Sequence, residues 1–155
     1  MHNKTNDVEI KYLGEYWDTQ PISKPFKATE GSAGFDLVAY TRDSVMIGPG
    51  KKVVINTGIA ININNPNIVA KVYVRSGLAR RGVSLANGVG IIDSDYQGEI
   101  LLIMINTHDY WVEITPFKRV AQMVFEYVAP VNLVNVDEFS TVTERGDGGF
   151  GSTGS

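Results

Sequence analysis

The chain reads as an all-β protein, a jelly-roll-like β-barrel, and three observations carry that reading. Apolar residues recur with period two or in short unbroken runs. Clusters of Gly, Pro and Asn separate those runs at short intervals, as turns do. No stretch longer than about two turns keeps a helical period, which leaves room for one short helix around residues 77–81.

The elements follow in order. Residues 1–27 form a lead-in, where Val8-Glu9-Ile10-Lys11-Tyr12 alternates as one edge strand and Pro21 and Pro25 punctuate a loop. Val53-Val54-Ile55 precedes Thr57-Gly58. In 59–64 the isoleucines face one way and smaller or polar groups the other. In 69–74, Ala70, Val72 and Val74 share a face opposite Lys71 and Tyr73. Gly48-Pro49-Gly50, Asn64-Asn65-Pro66-Asn67 and Thr115-Pro116 mark turns. The segment 88–100 reads as strand, tight turn, strand, and so as a hairpin, and 119–125 as a short strand. Ile100-Leu101-Leu102-Ile103-Met104-Ile105 is apolar on both faces and is expected to be buried on both. A barrel has one inside, so a subunit interface would cover the other face.

The body is expected to span residues 1–140. From about residue 141 aliphatic content nearly vanishes, and 141–155 reads as a flexible glycine-rich arm. Taken by itself that arm fits a frayed terminus. It also fits a flap in which Arg145 meets an anion, Phe150 a flat ring, and glycines offer backbone N–H groups.

The 155 residues suit one domain, with 43% hydrophobic and 20% charged residues and no cysteine, so disulfides and thiolate metal sites are excluded. No apolar start or membrane-length run is seen, so an intracellular, soluble protein is expected, in the cytoplasm or nucleus of a cell or virus-infected host. A net charge of −3 argues against nucleic acid as the partner, but not against a single nucleotide held by a few arginines and a divalent cation.

Each candidate site has an ordinary structural alternative. Arg75-Ser76-Gly77-Leu78-Ala79 ends a strand and either cradles phosphates or merely turns. Asp93, at the end of Gly90-Ile91-Ile92, is a turn former or a base that orients water. Tyr96 packs on a sugar or caps the core. Asp36 interrupts an apolar strand, and Arg119 and Gln122 either face solvent or serve a site. His2 and His108 lack ligand partners at useful spacing, and no phosphate-binding Gly-x-x-x-x-Gly-Lys-Ser/Thr loop is present.

The order of these motifs is more specific than any one. Ala33-Gly34-Phe35-Asp36-Leu37, Arg75-Ser76-Gly77-Leu78-Ala79, the run 90–100, Arg119-Val120-Ala121-Gln122 and the run 145–154 resemble the five motifs of the homotrimeric dUTP diphosphatase (dUTPase) family. The resemblance covers roughly residues 28–154. It implies a homotrimer with C-terminal strand or arm exchange, active sites at subunit interfaces, and Mg2+-assisted hydrolysis of dUTP to dUMP and pyrophosphate. That reaction keeps uracil out of DNA and supplies dUMP for thymidylate synthesis.

By resemblance, Asp93 activates the water that attacks the α-phosphorus, and Tyr96 packs on the deoxyribose. Asn87 and the backbone at Gly90, Ile91, Ile92, Gly98 and Leu101 read uracil. Arg75, Ser76, Gly77 and Gln122 hold phosphates, and Asp36 acts on the metal through water. Arg119 orders the site through a nearby acid such as Asp95. Arg145, Ser152 and Thr153 grip the γ-phosphate, Phe150 stacks on uracil, and Gly151 beside it belongs to the same substrate-binding set. The related dCTP deaminases carry a catalytic glutamate on the strand after the third motif, where this chain has Ile103. A non-catalytic binding module would be expected to have lost some of Asp36, Asp93, Tyr96, Arg145 and Phe150.

Overall fold

A computed structural model describes residues 6–15 and 24–149, and among these it has ten strands and one turn of helix. The strands are β1 (Glu9–Tyr12), β2 (Phe35–Val38), β3 (Val45–Ile47), β4 (Lys52–Asn62), β5 (Ile68–Val74), β6 (Val83–Leu85), β7 (Gly90–Ile92), β8 (Glu99–Asn106), β9 (Val112–Ile114) and β10 (Arg119–Tyr127). The helix, α1, spans Ser76–Ala79, at the place left open for one by the sequence. Two four-stranded sheets, ordered β1-β4-β8-β6 and β2-β10-β5-β7, and a ribbon of β3 and β9 complete an all-β, jelly-roll arrangement. Every pairing is antiparallel.

Alternation decides what goes inside. On β5, Ile68, Ala70 and Val72 are buried while Lys71 and Tyr73 are half-buried. Ile55, Ile59, Ile61, Ile100, Leu102, Met104, Val112, Ile114 and Val120 fill the same core. Buried Asn106 ties the ribbon to it: its amide donates to the carbonyls of Ile47 at 2.9 Å and Tyr110 at 2.7 Å, and its carbonyl accepts from the His108 N–H at 2.9 Å. The Asn64–Asn67 turn carries Asn64 at φ +49°, a left-handed position that asparagine tolerates.

Two expectations change. The segment 88–100 is not a hairpin. β7 pairs with β5 in one sheet and β8 with β4 and β6 in the other, so residues 93–98 cross between sheets. Period-two spacing identifies strands but not which sheet each joins. β8 is also covered on one face only. Ile100, Leu102 and Met104 point into the core, but Leu101 (49% exposed), Ile103 (43%) and the facing Val54 (57%) form an open apolar patch on the single chain. After Tyr127, residues 128–149 carry no helix or strand and leave Val131, Leu133, Val134, Phe139 and Val142 largely exposed.

Candidate active site

The sequence candidates fall into two groups: one on the sheet of β2, β10 and β5, the other running from β7 of that sheet across residues 93–98 to the start of β8 in the other. The first gathers where β2, β10 and the end of β5 meet. Asp36 stands opposite Gln122, which stands opposite Tyr73. The Asp36 Oδ1 lies 3.3 Å from Arg75 Nε, and its Oδ2 3.5 Å from Arg119 Nη1. Arg119 and Gln122 are three apart and would face opposite ways on a regular strand. A register shift between Arg119 and Ala121 rephases the strand and brings both to the Asp36 face.

The acid beside Arg119 within the chain is therefore Asp36, while Asp95 lies on the exposed 93–98 crossing. Arg119 is further held by the Phe26 ring, 4.2 Å below its guanidinium, a contact that nothing in the sequence pattern marks. Gly34 leaves room for Gln122: a Cβ there would stand 3.1 Å from its Oε1.

Beyond this cluster Arg75 caps α1 with extended backbone, and Ser76 and Gly77 are exposed beside it. Two guanidiniums around one carboxylate leave a net positive pocket with free N–H donors, which suits phosphate oxygens. Asp36 is only 9% exposed, yet its Oδ2 has no hydrogen bond of good geometry. That orphaned oxygen fits one further donor, such as a metal-bound water. With two cations beside it Asp36 is a poor direct ligand, and no group of three His, Asp or Glu side chains suited to a metal exists among the described residues. Mg2+ fits here through water, with most of its ligands from a bound triphosphate.

Further along the same face of β5 and β10, Lys71 Nζ lies 2.7 Å from Glu126 Oε2, with the Tyr73 hydroxyl 3.4 Å from the other oxygen. The hydrogen bond to Lys71 holds the Glu126 carboxyl below the usual carboxylate range, and the same bond raises Lys71.

The second group lies on residues 87–101. Asn87, Ile91, Asp93, Asp95, Tyr96, Gly98 and Leu101 are exposed, and Gly90 and Ile92 half-buried. Asp93 lines an open cavity with Asn62, Asn64, Lys71, Ile91 and Gln97, which none of Asp36, Arg75, Ser76 or Gln122 enters. Ladder geometry says how far apart the groups are. Asp93 follows Ile92, which pairs with Ala70, whereas Asp36 sits level with Tyr73 and three strands away. At about 3.3 Å per residue and about 4.8 Å per strand the separation is roughly 20 Å. One chain does not bring Asp93 to the cluster around Asp36.

The described residues of the arm, 141–149, make only local contacts at Thr143–Gly148. The Arg145 Nε donates to the Gly148 carbonyl at 2.9 Å, closing a local exposed turn. Phe150, Gly151, Ser152 and Thr153 lie outside the described residues.

Comparison with known proteins converges on one family. Residues 20–154 match the dUTPase family model. A deoxyuridine 5'-triphosphate nucleotidohydrolase of Francisella tularensis subsp. holarctica (strain FTNF002-00 / FTA) is 47% identical over 149 residues, covering 95% of this chain and 98% of the relative. One from Francisella tularensis subsp. novicida (strain U112) is 46% identical over the same length. Among solved structures, the Staphylococcus bacteriophage 80alpha dUTPase with dUpNHpp superposes with a TM-score of 0.82 at 26% identity, covering 97% of this chain and 100% of that one. A dUTPase from phage phi11 of S. aureus, described with a structural Mg(II) ion, has the same fold, with a TM-score of 0.74 at 20% identity over 88% of this chain and all of that one.

Proposed function

The chain belongs to the dUTPase family and hydrolyses dUTP, and we propose that it does so at sites assembled between the chains of a homotrimer, with Asp93 activating the water. The observation that carries this reading is the roughly 20 Å that separates Asp93 from the Asp36 cluster along and across the strands of one chain. Reacting groups must converge to about 3–3.5 Å, so a neighbouring chain has to supply one of the two halves. The open apolar patch of Val54, Leu101 and Ile103 and the exposed apolar residues of 128–142 give such neighbours something to bury.

In the assembled site the Arg75 guanidinium, the Ser76 hydroxyl, the Gly77 N–H and the Gln122 amide hold phosphate oxygens. Asp36 keeps Arg75 and Arg119 aimed and would hold Mg2+ through a bound water at its orphaned Oδ2. When bound, Mg2+ withdraws charge from the phosphate oxygens and so lowers the repulsion that meets an incoming nucleophile. On the opposite half, the Asp93 carboxylate takes a proton from a water aimed at the α-phosphorus. Pyrophosphate leaves along the in-line path toward the arginines.

Uracil is read by Asn87 and by the backbone of Gly90, Ile91, Ile92, Gly98 and Leu101, where uracil and cytosine exchange donor and acceptor. Tyr96 packs on the deoxyribose and excludes a 2′-hydroxyl. Arg145, Gly151, Ser152, Thr153 and Phe150 close over the bound nucleotide from the arm, in exchange with a neighbouring subunit.

A panel of dUTP, dCTP, dTTP and UTP with Mg2+, scored for pyrophosphate and ammonia, tests the reading. Pyrophosphate from dUTP alone is the expected result. Ammonia from dCTP would sink it in favour of a deaminase, the reading that Ile103, apolar and on the outer face of β8, already disfavours.

A further inference from the structure

The β4–β8 ladder is regular from Lys52↔Ile105 to Asn56↔Leu101 and resumes at Ala60↔Glu99. Between those pairs β4 takes four steps while β8 takes two. This bulge carries Gly58 at φ +66°, a conformation that favours glycine. A bulge leaves backbone groups without their ladder partners, and here one side chain fills the gap. The Gly58 N–H donates to Glu99 Oε1 at 2.8 Å, and the Asn56 side-chain amide donates to Glu99 Oε2 at 2.9 Å. Each carboxylate oxygen thus takes a neutral donor, in charge-assisted bonds stronger than amide–carbonyl ones. Glu99 makes no ion pair among the described residues.

The bulge is itself fixed to the body. Thr57 Oγ1 donates to the Ile100 carbonyl at 2.6 Å, the Leu13 N–H donates to the Gly58 carbonyl at 2.7 Å, and the Tyr40 N–H to the Asn56 carbonyl at 2.8 Å. On the other side of Glu99 stands Tyr96, whose hydroxyl donates to the Glu99 carbonyl at 3.0 Å. The ring lies across residue 98, where a Cβ would come within 2.5 Å of that hydroxyl, so only glycine lets Tyr96 reach its acceptor. A single residue therefore grips the anchored bulge with its side chain and Tyr96 with its backbone.

We propose that Glu99 is a positioning residue for sugar recognition: its carboxylate locks the start of β8 to the β4 bulge and so sets where the Tyr96 ring stands. This rests on the reading above that Tyr96 packs on the deoxyribose. Glu99 touches no reacting atom, so its loss is expected to act on KM and on discrimination against a 2′-hydroxyl more than on kcat.

The test is kcat and KM for dUTP and UTP in the full-length protein with Mg2+, for wild type, Glu99→Gln, Glu99→Ala, Tyr96→Phe and the Glu99→Ala/Tyr96→Phe pair. Glu99→Gln keeps an acceptor for Gly58 and offers its amide to a turned Asn56, so it should stay within about twofold of wild type. Glu99→Ala should raise KM for dUTP about tenfold, leave kcat within about threefold, and lower the dUTP over UTP preference about fivefold, less than the two lost charge-assisted bonds are worth because only part of that loss reaches the Tyr96 ring. The Tyr96→Phe and Glu99→Ala effects on preference should be non-additive.

Unchanged preference in Glu99→Ala, additive effects, or equal damage from Gln and Ala would each overturn the proposal. Should Glu99→Ala not fold, Asn56→Ala removes one of the two grips. It should lower the preference in the same direction, and no change there overturns the proposal too. A wild type that hydrolyses dUTP but not UTP, beside variants that do the same, removes this inference and leaves the enzyme reading standing. A wild type without dUTP hydrolysis removes both.

Discussion

The two halves of the proposed site are built in opposite ways. Apart from the arm, the proposed phosphate half is already assembled within one chain: a nearly buried aspartate, two guanidiniums, a stacked phenylalanine, and a β-bulge that turns Arg119 to the Asp36 face. The proposed nucleoside half offers mostly exposed side chains on residues 87–101, whose backbone is held at its ends by the β7–β5 and β8–β4 ladders and between them by bonds such as Gln97 to Asn62. The difference follows from what each must do. A highly charged triphosphate needs fixed cations already paid for by folding, because arginines gathered only at the moment of binding would repel one another. A flat base is read by backbone groups, which strands position whether or not a ligand is present. The cost is that within one chain Asp93 stands roughly 20 Å from the Asp36 cluster, which is why the proposed site needs a neighbour.

The largest effect should come from separating the halves genetically. Asp93→Asn disables the nucleoside half and Arg75→Ala the phosphate half, and each alone should lower kcat by about a thousandfold or more. Unfolded together at equal amounts and refolded, the two should recover about a quarter of wild-type activity, the share of sites in a closed ring that draw one intact half from each chain. A mixture as inactive as its parents would mean that both halves of a site come from one chain.

A smaller loss should follow from disturbing the phosphate half without removing a phosphate contact. Asp36→Asn keeps the shape but leaves Arg75 and Arg119 without a charge partner and removes the oxygen that fits a metal-bound water. We expect kcat/KM to fall about a hundredfold and the Mg2+ dependence to shift to higher concentration, measured by titrating Mg2+ at fixed dUTP. An unchanged Mg2+ midpoint would confine Asp36 to aiming the arginines.

These halves were not equally legible in the sequence. The strands were, because alternation such as that of Ile68–Val74 reports burial directly. The short helix after Arg75 was legible as well. The sheet assignment of β7 and β8 was not, since adjacent strands with a six-residue crossing look like a hairpin until the pairing of each is known. Nor was the link from Arg119 to Asp36, because it depends on a bulge that shifts side-chain phase by one residue and leaves no compositional mark. The apolar double face of β8 was read correctly as composition. Its outer face, at Leu101 and Ile103, is left exposed on the single chain.

The smallest effect should come from the pair that shares a sheet face with the phosphate half but takes no part in its chemistry. Lys71 hydrogen-bonds Glu126 and holds that carboxyl below its ordinary pKa. A carboxyl depressed on folding adds stability above its unfolded pKa and loses it as pH falls through the folded value. The melting temperature of Glu126→Gln should therefore lie slightly below wild type at neutral pH, and the gap should close as pH falls below the usual carboxylate range. Both side chains are partly open to solvent, so salt should shrink the gap as well. Turnover of dUTP should be unaffected at any pH where the enzyme stays folded. A loss of turnover would instead place Lys71 and Glu126 within the phosphate half and redraw its boundary along β5.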